Sequence, residues 1–217
     1  VKEILAQTEY IKRKYSQLQV KSLPNLGSPL NTSLGIQGDD LFYSYIDKPH
    51  IVDKFCKNIA QLMIVCMEFF PGIDNIPIRM EGIGNCSATM LSPADYMRCN
   101  YFSDKQVHNY CSEKKMKFLL HQDSGISPHL ENYSQLGNID SFDVGNDTDF
   151  DKLYKLFPDA TVNCILFPHF VIGESDRNLK KKLEDLMVYG DKFTEFTFSL
   201  YEIDSAMSIE DVFHFNS

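Results

Sequence analysis

The chain has 217 residues, 43% of them hydrophobic and 24% charged, a composition typical of globular proteins and unlike that of a disordered or low-complexity chain. Its 21 lysines and arginines against 30 aspartates and glutamates give a net charge of −9, which argues against a general nucleic-acid-binding protein. No run of about 18 apolar residues occurs, so the sequence predicts no membrane span, and the N-terminus does not have the pattern of a signal peptide.

Helical and strand-like segments alternate along the chain, beginning with a predicted helix at residues 2–18. A short apolar run at 20–26 leads into a loop rich in glycine, proline and asparagine. Asp47 is a candidate N-cap of the next helix, with Pro49 in its first turn, and apolar residues then recur every three or four positions up to Pro71. This stripe consists of Ile51, Phe55, Ile59, Leu62, Cys66 and Phe70.

The second half of the chain alternates more regularly. Ser92, Pro93 and Asp95 have the spacing of a helix N-cap, a first helical position and a capping carboxylate, and residues 148–151 have a similar spacing. The predicted strands are 76–80, 116–120, 139–144, 162–167 and 196–203, and further helices are predicted at 92–112, 178–189 and 208–215. Strands separated by helices predict a parallel sheet with right-handed crossovers, which both a doubly wound sheet and a barrel satisfy.

The six cysteines lie at positions 56, 66, 86, 99, 111 and 164 and form no CxxC pair. This pattern predicts reduced thiols in a cytoplasmic protein, some of them simple core residues. No GxGxxG and no GxxxxGK[ST] occurs, which argues against a nucleotide-binding site.

Polar residues at the C-terminal ends of the predicted strands are the candidate site residues, because parallel α/β proteins place their sites there. They are Glu81, Asn85, Cys86 and Ser87; His121, Gln122, Asp123 and Ser124; Asp143, Asn146, Asp147 and Asp149; His169; and Tyr201, Glu202 and Asp204.

His121 and Asp123 are the strongest pair, since residues two apart in an extended segment project to the same side. Imidazole, carboxylate and a thiolate such as Cys86 are all ligands of Zn²⁺. Without a metal, the same pair predicts a histidine oriented by a carboxylate for acid–base work. A third interpretation is structural, with His121 hydrogen-bonded at a strand end, Asp123 capping the next helix and Cys86 a buried thiol.

Several motifs together resemble the uroporphyrinogen decarboxylase superfamily. Residues 27–32, Gly-Ser-Pro-Leu-Asn-Thr, resemble its Gly-x-Pro-hydrophobic loop, and residues 121–130 resemble the H-x-C-G-x-x-x-P-x-L segment of its corrinoid and thiol methyltransferase branch. The other matching segments are 47–50 (Asp-Lys-Pro-His), 90–96 (Met-Leu-Ser-Pro-Ala-Asp-Tyr), 142–144 and 208–212. The resemblance extends from about residue 20 to the end, in register.

This resemblance implies a (β/α)8 TIM-barrel-like fold, of which the chain supplies about six strand–helix units, the third to the eighth. The chain begins with Val1 and not with methionine. We therefore expect residues 1–217 to form a single domain that is the C-terminal portion of an incomplete barrel.

The methyltransferase branch implies an enzyme that moves a methyl group between a corrinoid, carried by a partner protein, and a small-molecule thiol such as coenzyme M. Its zinc is held by a histidine, a cysteine two positions on and a second cysteine after the last strand. His121 matches the first ligand, Asp123 stands in place of the first cysteine, and Tyr201 or Glu202 stands in place of the second.

The predicted site follows from this comparison. The predicted ligands of a divalent metal, zinc first, are His121, Asp123, Cys86 and Glu202. The predicted catalytic residues are His121, Asp123 and Asp143, and the predicted cofactor-binding residues are Asn85 and Ser124.

Two alternatives stay open at this point. A uroporphyrinogen decarboxylase of porphyrin biosynthesis uses no metal and needs arginines for a carboxylate-rich substrate, whereas of the four arginines only Arg79 lies in a predicted strand near the site. A catalytically inactive accessory protein is the other alternative, suggested by the replaced cysteines and the missing strands.

Overall fold

Five parallel strands form one sheet in the computed structural model, which describes residues 2–17, 27–69, 80–172 and 174–201. The strands are β1 (Met80–Gly84), β2 (Lys117–Gln122), β3 (Ser141–Gly145), β4 (Thr161–Leu166) and β5 (Glu195–Leu200). They pair in sequence order, each parallel to the next. This order is that of a barrel wall, since a doubly wound sheet reverses its order part-way. The fold is thus α/β and TIM-barrel-like with an open five-stranded sheet, which confirms the predicted fold class.

Ten α-helices precede, connect and flank these strands in the described part of the chain. They are α1 (Lys2–Lys14), α2 (Pro29–Gln37), α3 (Asp40–Asp47), α4 (Pro49–Phe69), α5 (Pro93–Cys99), α6 (Tyr101–Glu113), α7 (Leu130–Ser134), α8 (Phe150–Leu156), α9 (Pro168–Val171) and α10 (Asp176–Met187). None of these described helices is long and apolar enough to cross a membrane. The predicted strand-like run 20–26, most of the predicted strand 76–80 and the predicted helix 208–215 lie outside the described residues.

The two faces of the sheet differ in chemistry. On one face the strands bury large apolar side chains against the helices, among them Phe118, Leu120, Phe142, Val144 and Val162. The residues between them face the other side and are only partly buried. Burial of the apolar face stabilises the fold by roughly 25 cal/mol for each Å² removed from water, and the opposite face is left to carry polar groups.

Helix α2 forms where the sequence predicted a loop. The Ser28 side chain accepts a hydrogen bond from the Asn31 amide at 3.0 Å, and Pro29 occupies the first helical position. This is the same cap that was predicted correctly at Ser92 and Pro93, where the Ser92 hydroxyl accepts from the Asp95 amide. The cap at Ser28 was not predicted because the segment is rich in glycine and asparagine, which favour loops.

Two other predicted helix starts differ from the structure. Asp47 is the last residue of α3 and not the cap of α4, so the predicted N-cap there is wrong. At α8 the cap is Asp149, whose carboxylate accepts from the Lys152 amide at 2.9 Å. Thr148 instead uses its hydroxyl to accept from the Ile126 amide at 3.3 Å, and thereby joins the loops after β2 and β3.

Candidate metal centre

His121 lies near the C-terminal end of β2 with a carboxylate close to each of its ring nitrogens. Its Nδ1 is 2.6 Å from Asp143 Oδ2, and its Nε2 is 2.8 Å from Asp123 Oδ1. The structure thus brings together the pair that the sequence singled out, and adds Asp143 from the neighbouring strand.

The register of the sheet explains why these groups meet. His121 pairs with Asp143 across β2 and β3, Asp143 pairs with Asn163 across β3 and β4, and Asn163 pairs with Thr197 across β4 and β5. Directly opposite residues on neighbouring strands project to the same face. Four adjacent strands therefore present one polar row across the sheet, and His121 stands at one end of it.

Asp143 is held by donors on both of its oxygens. Asn163 Nδ2 donates to Oδ1, and Tyr201 donates its hydroxyl to Oδ2 at 3.1 Å. Burial raises the pKa of Asp143, but the hydrogen bonds from His121 and Asn163 outweigh it and hold that pKa below its usual value. Asp143 is therefore a carboxylate acceptor for the His121 Nδ1–H.

Cys86 approaches the same place from the end of β1. It opens a short 3-10 turn, Cys86–Met90, and its Sγ lies within 4.8 Å of a ligand atom of His121 and of Asp123. Two hydrogen bonds from main-chain amides fix this turn: the Asn85 amide donates to the His121 carbonyl at 2.7 Å, and the Ser87 amide donates to the side-chain Oδ1 of Asn31 at 3.1 Å. The motif at residues 27–32 thus anchors the turn that carries the thiol.

The electrostatics of His121 follow from these neighbours. Its hydrogen bond to Asp143 and a further one with Cys86 raise its pKa to about 10, against the opposing effect of burial. A histidine must be neutral at the ligating nitrogen, so a metal at Nε2 would replace the proton on that nitrogen.

The donor set fits a divalent metal. Sulfur, nitrogen and oxygen donors converge from the ends of two adjacent strands, all partly buried. Ligand atoms around Zn²⁺ lie about 3.3–3.8 Å apart, and the three candidate ligand atoms lie within 4.8 Å of one another. The Nδ1–H of His121 is already committed to a carboxylate, which is the usual arrangement of metal-binding histidines.

The remaining predicted site residues lie in different surroundings. Asn85 is fully buried, with its Nδ2 3.0 Å from Asp104 Oδ2 and 3.4 Å from the Tyr133 hydroxyl. Ser124 is partly exposed in the loop after β2, where its carbonyl accepts from the Gly145 amide. Glu202 lies outside the described residues. The predicted cofactor-binding role of Asn85 and Ser124 stays a prediction.

A buried polar network connects the segments that carry the candidate ligands. Tyr96 donates its hydroxyl to Asp104 Oδ2 at 2.7 Å, and Tyr133 donates to Gln122 Oε1 at 2.8 Å. Because Asn85 bonds to both Asp104 and Tyr133, the network joins the residue before Cys86 to the residue between His121 and Asp123. It therefore ties together the two segments that carry the candidate ligands.

The sequence did not predict a role for Asn163, and it placed Tyr201 at the end of the last strand as a candidate site residue and the replacement of a cysteine, without linking it to Asp143. A signal for Asn163 was present, since Thr161 and Asn163 alternate with Val162 and Cys164 along β4. Alternation of this kind predicts one polar face. Whether this polar face lies on the same side of the sheet as His121 depends on strand register, which the sequence does not show.

Comparison with known proteins supports the fold. No protein-family model matches the chain, and no curated protein matches it in sequence. A solved structure of a methyltransferase from Methanosarcina mazei superposes with a TM-score of 0.62 over 88% of this chain, at 12% sequence identity. The match covers 55% of the methyltransferase, so this chain spans about half of its length. An identity this low establishes a shared fold and nothing finer.

Proposed function

We propose that the chain carries the metal site of a methyltransferase-like enzyme in which Cys86, His121 and Asp123 hold a divalent metal, zinc first. The observation that carries this proposal is the convergence of the three ligand atoms within 4.8 Å, beside a histidine whose other nitrogen is held by Asp143. The fold shared with a methyltransferase supports the reaction class. The predicted fourth ligand, Glu202, lies outside the described residues.

The metal, when bound, would lower the pKa of an acceptor thiol so that it reacts as a thiolate. The residues of this chain hold the proton of His121 and position the ligand atoms. Asp143 keeps the Nδ1 proton of His121, which leaves Nε2 for ligation. The Asp123 side chain, 40% exposed, lies on the solvent side where an acceptor would enter. A set of sulfur, nitrogen and oxygen donors is harder than the two-thiolate set of the family it resembles, and suits Zn²⁺ or Co²⁺.

The proposed transfer moves a methyl group from a corrinoid on a partner protein to the acceptor sulfur. The cobalt–carbon bond breaks and its electron pair stays on cobalt, while a sulfur–carbon bond forms and the thiol proton goes to solvent. The decarboxylase alternative is less compatible with the site, because Asp123 and Asp143 flank His121 and would repel a substrate rich in carboxylates.

Metal analysis and a transfer assay test this proposal. We expect purified protein to bind about one zinc per chain, and to release the methyl group of a methylcorrinoid in the presence of coenzyme M, followed by the change in corrinoid absorbance. Cys86→Ser should weaken metal affinity by about one to two orders of magnitude or more, since even partners outside the ligand shell are worth that much. Cys66→Ser, on the remote helix α4, is the matched control and should leave affinity unchanged.

Three outcomes contradict the proposal in different ways. Equal metal affinity in wild type and Cys86→Ser excludes the thiol as a ligand. Release of carbon dioxide from a porphyrinogen, without metal, points to the decarboxylase. Metal-free protein that is inert toward both ligands points to an accessory protein whose histidine is bonded only within the fold.

A further inference from the structure

We infer that Asn163 and Tyr201 are positioning residues that act through Asp143 to fix which nitrogen of His121 faces the metal. This inference rests on the proposed metal site and assigns two side chains from β4 and the end of β5 to its function. Neither side chain approaches the site as a ligand in the described structure; both bond to Asp143 instead.

The orientation of the Asn163 amide is determined by Asp143 and is compatible with its hydroxyl neighbours. Its Oδ1 accepts from Ser199 Oγ at 2.8 Å and from Thr197 Oγ1 at 3.2 Å. An ionised carboxylate only accepts hydrogen bonds, so the NH₂ side of the amide must face Asp143. Asp143 therefore fixes the Asn163 amide in the one orientation in which it donates to Oδ1, and the two hydroxyls of β5 complete this arrangement by donating to the amide oxygen.

Tyr201 restrains the same carboxylate from its other side. Its hydroxyl shares Asp143 Oδ2 with His121 Nδ1, and its ring stacks near the imidazole with centroids 6.2 Å apart and planes at 29°. The Tyr201 amide donates to the Leu166 carbonyl at 2.9 Å, and this hydrogen bond fixes the Tyr201 backbone beside the end of β4. Tyr201 thus limits both the rotation of Asp143 and the tilt of the His121 ring.

The consequence for the metal is chemical as well as geometric. With Asp143 fixed, the proton of His121 stays on Nδ1 and the lone pair for ligation is on Nε2, on the side of Asp123 and Cys86. A carboxylate bonded to the distal N–H also makes imidazole a stronger ligand. A metal centre on β1 and β2 therefore depends on hydroxyl and amide groups two and three strands away.

Two variants with matched controls test the inference. Tyr201→Phe keeps the ring and removes the hydroxyl, and Tyr101→Phe is its control, since the Tyr101 hydroxyl bonds to the Gln135 carbonyl away from the site. Asn163→Ala removes the amide, and Asn138→Ala is its exposed control. We expect the dissociation constant for Zn²⁺ to rise about 10–100-fold in Asn163→Ala and less in Tyr201→Phe, with both controls unchanged.

A second readout does not depend on a metal. In metal-free protein the Nδ1–H of His121 should give a downfield proton resonance, because it is hydrogen-bonded to a carboxylate, and both site variants should shift or broaden it. Unchanged zinc affinity and an unchanged resonance in the two site variants would overturn the inference. Failure of wild-type protein to bind zinc would instead overturn the proposed function, while the resonance still tests the Asp143 network.

Discussion

Replacing His121 with alanine is expected to reduce bound metal to background and to abolish methyl transfer. His121 is the residue that the other candidate groups share: the carboxylates of Asp123 and Asp143 lie 2.8 and 2.6 Å from its two nitrogens, and Cys86 contributes to the pKa of its ring. Without the imidazole, the two ligands that remain have no nitrogen donor between them. Asp143, with a side chain only 15% exposed, also loses its hydrogen-bond partner.

The same substitution should lower the free energy of unfolding by about 1–3 kcal/mol, because a part-buried carboxylate loses a charged hydrogen bond. Zinc content and thermal unfolding of the purified variant measure the two effects. His169→Ala is the matched control, since the structure places this candidate site residue exposed at the start of α9, stacked on Phe167. A His121→Ala protein that retains wild-type zinc content would exclude the proposed centre.

The proximity of His121 and Asp123 could be predicted from the sequence because it depends only on the local geometry of the chain. Residues two apart at a strand end share a side, and β2 with the segment after it bears this out at 2.8 Å. The partnership of His121 with Asp143 is set by the register between β2 and β3, which depends on packing of the whole sheet. Asp143 was therefore predicted as a site residue, but its position opposite His121 could not be.

The helices show the same division between local and nonlocal information. The cap at Ser92 was read correctly from three residues, whereas the break between α5 and α6 at Asn100 was not predicted. Asp104 in α6 was not predicted to be buried. Yet it precedes Val107 and Cys111 by three and seven positions, and thus belongs to the buried stripe of that helix.

Asp104→Asn is expected to remove a large pH dependence of stability. Asp104 is fully buried, and burial raises its pKa to about 7 against the lowering effect of hydrogen bonds from Tyr96 and Asn85. Its Oδ1 has no hydrogen-bond partner among the described residues, so ionisation of the folded protein leaves charge on a desolvated oxygen. The titratable groups that interact with it are Tyr45 on α3, Cys56 on α4, Tyr96 on α5 and Tyr133 on α7.

The sign follows from proton linkage. The ordinary pKa of aspartate is 3.8, and in the fold it is about 7. Between these values the folded protein binds a proton that the unfolded chain does not, so the free energy of unfolding falls as pH rises. The contribution of Asp104 is complete below pH 3.8 and is lost as pH rises through about 7. A difference of this size corresponds to roughly 4 kcal/mol over the whole window.

Denaturant unfolding at several pH values between 4 and 8 measures the effect, because asparagine keeps the shape of the side chain and carries no charge at any of them. We expect the stability of Asp104→Asn relative to wild type to increase steadily from the acidic to the basic end of the series. Asp159→Asn removes an exposed carboxylate and should run parallel to wild type. Parallel curves for Asp104→Asn would mean that Asp104 ionises in the fold without cost. The Asn85 and Tyr133 contacts would then join the ligand-bearing segments as part of a charged network and not a neutral one.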